Sequence, residues 1–333
     1  VLSGENQTQR LSGSRSQALP LLRQVRNITI YYNHFMKLIS GTSNLPLAQK
    51  IADQLGAPLL DVEITRFANG EKRVWVKDKI AGENVSLVQS FNSPVDENIV
   101  ETLLIIDALE RAGARHINLI IPWMGYSLQD KVFRDSEPIA ARVIADLLSN
   151  SHAKRAVLLD LHNSSIPGFF SIPTQHLLAL TPFAEYIREN FNQNETIIVS
   201  PDFGGLKRAR TLAELLGLEL ENIDKHRDLT TGKVTPKGVT GDVEGKICII
   251  YDDVINTGGT VVEVAKFLKE KGAKEVHFLV THGLFAGDGL MKMEDPSIDS
   301  VVITNSIHHL NLPPKIRVID VSKLLADSVK TWV

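Results

Sequence analysis

The stretch Ile249-Ile250-Tyr251-Asp252-Asp253-Val254-Ile255-Asn256-Thr257-Gly258-Gly259-Thr260 decides the fold. An apolar strand at 247–251 ends in two adjacent carboxylates, and a turn rich in Thr and Gly opens a helix over 260–271. Glycines let the backbone approach an anion closely, and a helix N-terminus adds oriented N–H donors. Asn256, Thr257, Gly258, Gly259 and Thr260 therefore suit one phosphate monoester. Asp252 and Asp253 are wrong for more phosphate but right for accepting hydrogen bonds from sugar hydroxyls. A ribose 5-phosphate fits both ends. The blander alternative is a capped helix after a buried strand, with the two Asp as turn formers.

The same rhythm runs outward in both directions. Residues 36–41 open like a first strand and turn, and Leu47, Ile51 and Leu55 fall at i, i+4 and i+8 before Gly56. Strands are expected at 85–90, 117–122 and 157–161, with helices at 98–112 and 138–148 between them. Downstream, strands at 196–200, 247–251, 276–281 and 300–304 alternate with helices at 206–216 and 260–271. Alternation of this kind predicts α/β architecture, with parallel sheets covered on both faces. Two runs predict two similar domains, at 36–180 and 181–312, with 313–333 a candidate to return to the first. Ligands in such sheets sit beyond the carboxyl ends of the strands.

Composition narrows the function classes. The 333 residues are 43% hydrophobic and 23% charged, ordinary values for a globular protein. Thirty-six Lys and Arg against 39 Asp and Glu give a net charge of −3. Nothing in that balance favours nucleic acid or an acidic membrane as partner. The single cysteine, Cys248, lies in an apolar run, which predicts a buried structural thiol and a reducing cytoplasm. No apolar stretch approaches the roughly 18 to 20 residues that span a bilayer. Residues 1–35 are polar, with Glu5 as the one acidic residue through position 26. They read as a disordered extension upstream of Met36, with an organelle transit peptide as the alternative.

The stretch at 249–260 resembles the phosphoribosyl pyrophosphate-binding motif of type I phosphoribosyltransferases and ribose-phosphate pyrophosphokinases. Other segments resemble the pyrophosphokinases, in order: Phe67-Ala68-Asn69-Gly70-Glu71, Gly125-Tyr126, Gln129-Asp130, Asp160-Leu161-His162, Asp202-Phe203-Gly204-Gly205, Asp224-Lys225-His226-Arg227 and Thr281-His282-Gly283. The resemblance runs from Met36 to about Ala326. It implies the type I phosphoribosyltransferase-like fold and an ATP-dependent ribose-phosphate diphosphokinase that uses Mg2+. ATP would meet Phe67, Asn69, Glu71, Gln129 and Asp130. Ribose 5-phosphate would meet Asp252, Asp253 and residues 256–260. Asp202, Gly204 and Gly205 would hold the diphosphate.

The resemblance also implies His162 and Asp202 as magnesium ligands, with Asp160 a further candidate. Taken singly, His162 reads as a core or turn histidine more readily than as a ligand, and His is a less typical magnesium donor than carboxylate. Lys225 and Arg227 head a polar stretch, 228–237, that reads as a solvated loop. By the resemblance they are the catalytic cations, stabilising the transferring phosphoryl group. The loop at 67–71 would read as a β-turn by itself. By the resemblance it reaches ATP on a neighbouring subunit, which implies a homo-oligomer, dimer or hexamer.

Departures from the family pattern fall on the nucleotide side. Leu128 stands where the family has Arg, and Ser136 ends a segment that has lost basic residues. Ser171 and Gln175 replace carboxylates. Two alternatives follow: a diphosphotransferase acting on a larger acceptor containing ribose 5-phosphate, and a non-catalytic regulatory subunit.

Overall fold

Short apolar runs become the strands of two parallel sheets, and the amphipathic stretches between them become the covering helices. The structure, a computed structural model, describes residues 36–227 and 234–332, without the side chains of 225–227, 234, 235 and 331. The expected extension at 1–35 lies outside the described residues.

The first half contains strands β1 (Lys37–Ser40), β2 (Val62–Arg66), β3 (Lys72–Val76), β4 (Asn84–Val88), β5 (His116–Ile121), β6 (Ala153–Leu159) and β7 (Thr174–Leu177). β1, β4, β5, β6 and β7 form one sheet in that order, parallel throughout. β2 and β3 pair separately as an antiparallel hairpin. The helices are α1 (Leu45–Leu55), α2 (Val95–Arg111) and α3 (Ala140–Ser149). Asn44 caps α1 by accepting from the Leu47 amide, and Gly56 ends it at φ 61°. α2 begins three residues earlier than the apolar pattern predicts, since Asp96 and Glu97 occupy its first turn.

The second half contains β8 (Thr196–Ser200), β9 (Leu220–Arg227), β10 (Val234–Val239), β11 (Ile247–Ile255), β12 (Glu275–Gly283), β13 (Ser300–Thr304) and β14 (Ile316–Ile319). Their order is β10-β9-β8-β11-β12-β13-β14, parallel except for β10 at the edge. Helices α4 (Leu180–Asn190), α5 (Leu206–Leu216), α6 (Gly259–Glu270), α7 (Gly289–Lys292) and α8 (Ser322–Val329) complete the chain.

Three expectations are corrected here. The sequence predicts a loop over 228–237; residues 228–233 lie outside the described residues, and 234–239 is strand β10, paired antiparallel with β9. An edge strand needs little apolar content, because one of its sides faces water. The strand expected to end at Tyr251 runs on to Ile255, so Asp252 and Asp253 are strand residues and not turn residues. Pairing with β12 through Ile255 carries the strand past its last apolar pair. Finally, residues 313–333 divide: β14 extends the second sheet, and α8 packs against α1.

Successive strand residues point to opposite faces, so each strand serves two cores. Ile120, Leu159, Ile198, Ile249, Tyr251 and Leu279 share one cluster with Leu47 and Ile51 of α1, Phe183 of α4 and Leu325 of α8. That cluster draws on both sheets, so α4, where a domain boundary was expected, lies in a shared core. Each fully buried Leu or Ile there contributes about 2 kcal/mol. Alternate residues such as Leu119 and Ile250 face the two outer clusters. Cys248 is fully buried in β11, and burial pushes its thiol up to about 12.

Candidate active site

A cavity of about 910 Å³ opens beyond the carboxyl ends of β6, β8 and β11. It is lined from the first sheet by Asp130 and His162, and from the second by Asp202, Gly204, Gly205, Asp252, Asp253 and residues 256–260. The structure thus brings together four segments that lie apart in the sequence, around 130, 162, 202–205 and 252–260.

The anion cradle forms at the end of β11. The Asn256 carbonyl accepts from the Ala286 amide at 2.8 Å, and the Thr257 carbonyl from Lys292 Nζ at 3.1 Å. With those carbonyls held, none of the amides of 256–260 donates to a described backbone carbonyl, so they are available to a ligand. Gly258 stands at φ 74°, and a Cβ there would lie 2.6 Å from Met293 Cε. The positive φ favours glycine, and a larger side chain would also have to displace the Met293 methyl. α6 then starts at Gly259 and brings its N-terminus to the same point.

Asp202 shapes the next loop. Its Oδ1 accepts from the Gly205 amide at 2.9 Å, immediately before α5 begins at Leu206. Asp130 Oδ2 accepts from Asn163 Nδ2 at 2.6 Å, holding the 125–130 loop against the segment after β6. Gln129 is exposed and does not line the cavity.

The centre of the site is a charge relay across the two sheets. His162 Nδ1 lies 2.8 Å from Asp253 Oδ2. Arg208, on α5, places Nη1 2.8 Å from Asp253 Oδ1 and 3.1 Å from Asp252 Oδ1. Burial alone would raise Asp253, but the His162 hydrogen bond and the Arg208 charge outweigh it and hold the carboxyl well below the usual range. Burial and the neighbouring Asp253 carboxylate push Asp252 up. The Asp253 hydrogen bond raises His162. Burial disfavours charge on Arg208, but Asp253 and Asp252 keep it firmly protonated.

Asp160 is corrected as a metal ligand. It is 0% exposed, and its Oδ2 accepts from the Ala179 amide at 2.9 Å and from Thr281 Oγ1 at 2.5 Å. Burial pushes its carboxyl up, so it braces β6 from inside and does not line the cavity. His282, in the matching segment of β12, is also fully buried.

Phe67, Asn69 and Glu71 sit on the exposed turn of the β2–β3 hairpin and do not line this cavity. The hairpin is anchored by a buried pair at its turn end: Lys72, the first residue of β3, places Nζ 2.6 Å from Glu101 Oε2 on α2. Lys225 and Arg227 end β9, opposite Pro236 and Val234. Their side chains lie outside the described residues.

Sequence reasoning missed Arg208. Its signal was present, since Arg208, Leu212 and Leu216 fall at i, i+4 and i+8, putting a cation on the buried stripe of α5. A charge on an apolar stripe needs a buried partner.

For a metal, the candidate donors at this cavity are His162 and Asp202. An imidazole that gives one ring nitrogen to a carboxylate is oriented for ligation through the other. His162 meets that condition, and its Nε2 has no described protein partner. No cluster of three or more His, Cys, Asp or Glu among the described residues is arranged to hold a metal ion. Such a sparse set fits Mg2+, which keeps several waters and takes substrate phosphate oxygens. No described helix is long and apolar enough to cross a membrane.

Residues 36–151 match the family model described as the N-terminal domain of ribose phosphate pyrophosphokinase. Residues 224–332 match the phosphoribosyl synthetase-associated domain. The chain is 41% identical over 300 residues to the ribose-phosphate pyrophosphokinase of Thermotoga maritima, covering 90% of this chain and 95% of that one. It is 41% identical over 304 residues to ribose-phosphate pyrophosphokinase 2 of Enterococcus faecalis, with 90% and 94% covered. The phosphoribosylpyrophosphate synthetase of Mycobacterium smegmatis superimposes with a TM-score of 0.83 at 34% identity, over 89% of this chain and 98% of that structure.

Proposed function

This chain belongs to the ribose-phosphate pyrophosphokinase family, and we propose that it transfers the β,γ-diphosphoryl group of ATP to the anomeric hydroxyl of ribose 5-phosphate, giving phosphoribosyl pyrophosphate and AMP. Its fold is the α/β, parallel-sheet build of the type I phosphoribosyltransferase-like class. The observation that carries the reading is the meeting of the 256–260 cradle and Asp252 with His162 and Asp202 around one cavity.

The residues divide the substrate between them. Amides of 256–260 receive the 5-phosphate, and Asp252 accepts from the ribose hydroxyls. That seating leaves the anomeric hydroxyl toward the diphosphate loop at 202–205. Attack on the β-phosphorus forms the new O–P bond while the bond to the α-phosphate oxygen breaks; AMP leaves with that electron pair, and the anomeric hydroxyl proton passes to solvent. Lys225 and Arg227 supply positive charge to the oxygens of the transferring group, which is the main help that phosphoryl transfer needs from a protein. Mg2+ would be held by His162 and Asp202 and would neutralise phosphate charge there.

ATP is met by Asp130 at the cavity, by Gln129 on the exposed surface next to it, and by Phe67, Asn69 and Glu71 of a neighbouring copy. Phe67 is 53% exposed on a hairpin turn away from its own cavity, which supports this sharing and hence a homo-oligomer. Incubation of the protein with ATP, Mg2+ and ribose 5-phosphate tests the reading directly. AMP as product supports it; ADP would make the protein an ordinary kinase, and neither product would remove the activity.

A further inference from the structure

Asp252 and Asp253 are neighbours on β11, yet their surroundings differ. The Asp253 side chain is 3% exposed and commits both oxygens to protein, Oδ1 to Arg208 and Oδ2 to His162. The Asp252 side chain is 32% exposed, and its Oδ1 accepts from Arg208 and from the Asp253 amide at 2.9 Å. Its Oδ2 has no described hydrogen-bond partner. Consecutive strand residues point to opposite faces, so one of the pair must turn inward. A carboxylate turned inward without a cation would lose its hydration uncompensated. Arg208 removes that cost, reaching in from α5 with Nη2 within 3.4 Å of the Leu161 carbonyl.

We propose that Arg208 is a positioning residue that gives the two adjacent carboxylates separate tasks: it holds Asp253 inward as the support of His162 and leaves Asp252 alone to receive the ribose hydroxyls. The inference rests on the assignment of this cavity to ribose 5-phosphate and deepens it. A planar fork suits the task, because one guanidinium can bond two carboxylates and a carbonyl in fixed directions, and a lysine ammonium cannot hold the same set. Sugar recognition then depends on a side chain that acts through the two carboxylates its Nη1 bonds.

The test uses R208K, R208Q, D252N and D253N in the full chain. Readouts are melting temperature, KM for each substrate, kcat, and calorimetric binding of ribose 5-phosphate. R208K keeps the charge and loses the fork, so it should melt near wild type while KM for ribose 5-phosphate rises about tenfold. KM for ATP should stay within about twofold. D252N should raise KM for ribose 5-phosphate similarly, and R208K combined with D252N should be no worse than D252N alone, because both act through one carboxylate. D253N should lower kcat with little change in that KM.

A folded R208K with unchanged affinity for ribose 5-phosphate would overturn the proposal. So would additive effects of R208K and D252N, or parallel rises in both KM values, which would mark Arg208 as a general structural support. R208Q, lacking the charge, reports on the same binding if R208K proves unstable. Should the wild type bind ribose 5-phosphate and release no AMP, the proposed activity fails, and the calorimetric comparison still decides the role of Arg208.

Discussion

His162 Nδ1 lies 2.8 Å from Asp253 Oδ2, joining the segment after β6 in one sheet to the end of β11 in the other. The contact connects the proposed metal ligand to the proposed sugar site. It also explains why a half-exposed histidine stands beside a buried carboxylate. Carboxylates that orient a metal-ligating imidazole typically contribute about 10- to 100-fold in metal affinity or activity.

D253N should therefore raise the Mg2+ concentration for half-maximal rate by about tenfold or more. H162A should do the same with a larger loss of turnover. Initial rates across a Mg2+ titration at saturating ATP and ribose 5-phosphate would check both. An unchanged Mg2+ requirement in H162A would move the metal elsewhere.

Lys225→Ala and Arg227→Ala should each lower kcat by about a hundredfold, the scale of losing one positioned charge or donor at a developing anion. Binding of ribose 5-phosphate, measured by calorimetry, should change little. Near-normal turnover in both variants would remove their catalytic role.

Gly258→Val should abolish ribose 5-phosphate binding and leave ATP binding largely intact. The residue stands at φ 74°, and any Cβ meets Met293. Gly258→Ala combined with Met293→Ala should recover part of the binding, since the side-chain clash is gone and only backbone strain of about 1–2 kcal/mol remains. If binding survives Gly258→Val, the cradle is not the phosphate site.

His282 gives a stability signature against pH. Burial drives its pKa from 6.5 down to about 4, and its Nε2 proton goes to the Leu159 carbonyl, 3.1 Å away. The folded state thus refuses a proton that the unfolded chain accepts. This contribution is fully present above about pH 6.5 and is lost as pH falls toward 4, by at most about 3 kcal/mol at 1.36 kcal/mol per pH unit. Urea midpoints should decline across that window, and His282→Gln should flatten the decline. Equal slopes in the two proteins would contradict the assignment.

Inorganic phosphate should not be an obligatory activator, and ADP should inhibit mainly by competing with ATP. The family resemblance implies cations where this chain carries Leu128 and Ser136, and an oxyanion effector needs clustered donors to offset its desolvation. Initial rates across a phosphate titration at saturating Mg2+ would decide it. A steep sigmoidal requirement for millimolar phosphate would show that another surface binds the effector.

The amino-acid sequence by itself determined the α/β alternation, most of the strands and the anion cradle at 256–260. These are local matters: apolar periodicity sets strand or helix, and glycine at 258 tolerates a φ of 74°. Strand β7, with the sequence Thr174-Gln175-His176-Leu177, was not legible, because its place at the sheet edge requires no apolar run. Only the tertiary structure decided how the carboxylates divide. Asp160, Asp252 and Asp253 look alike in the sequence, each near the end of a strand beside apolar residues. Asp160 is sealed inside by Ala179 and Thr281, Asp253 is buried against His162 and Arg208, and Asp252 keeps the more exposed side chain at the cavity. The partners that separate them lie 91 residues away for His162 and Asp253, and 45 for Arg208 and Asp253. Such contacts depend on how two sheets bring their carboxyl edges together around one core. Periodicity reports which face a side chain occupies, and burial against a distant partner decides what charge it can carry there.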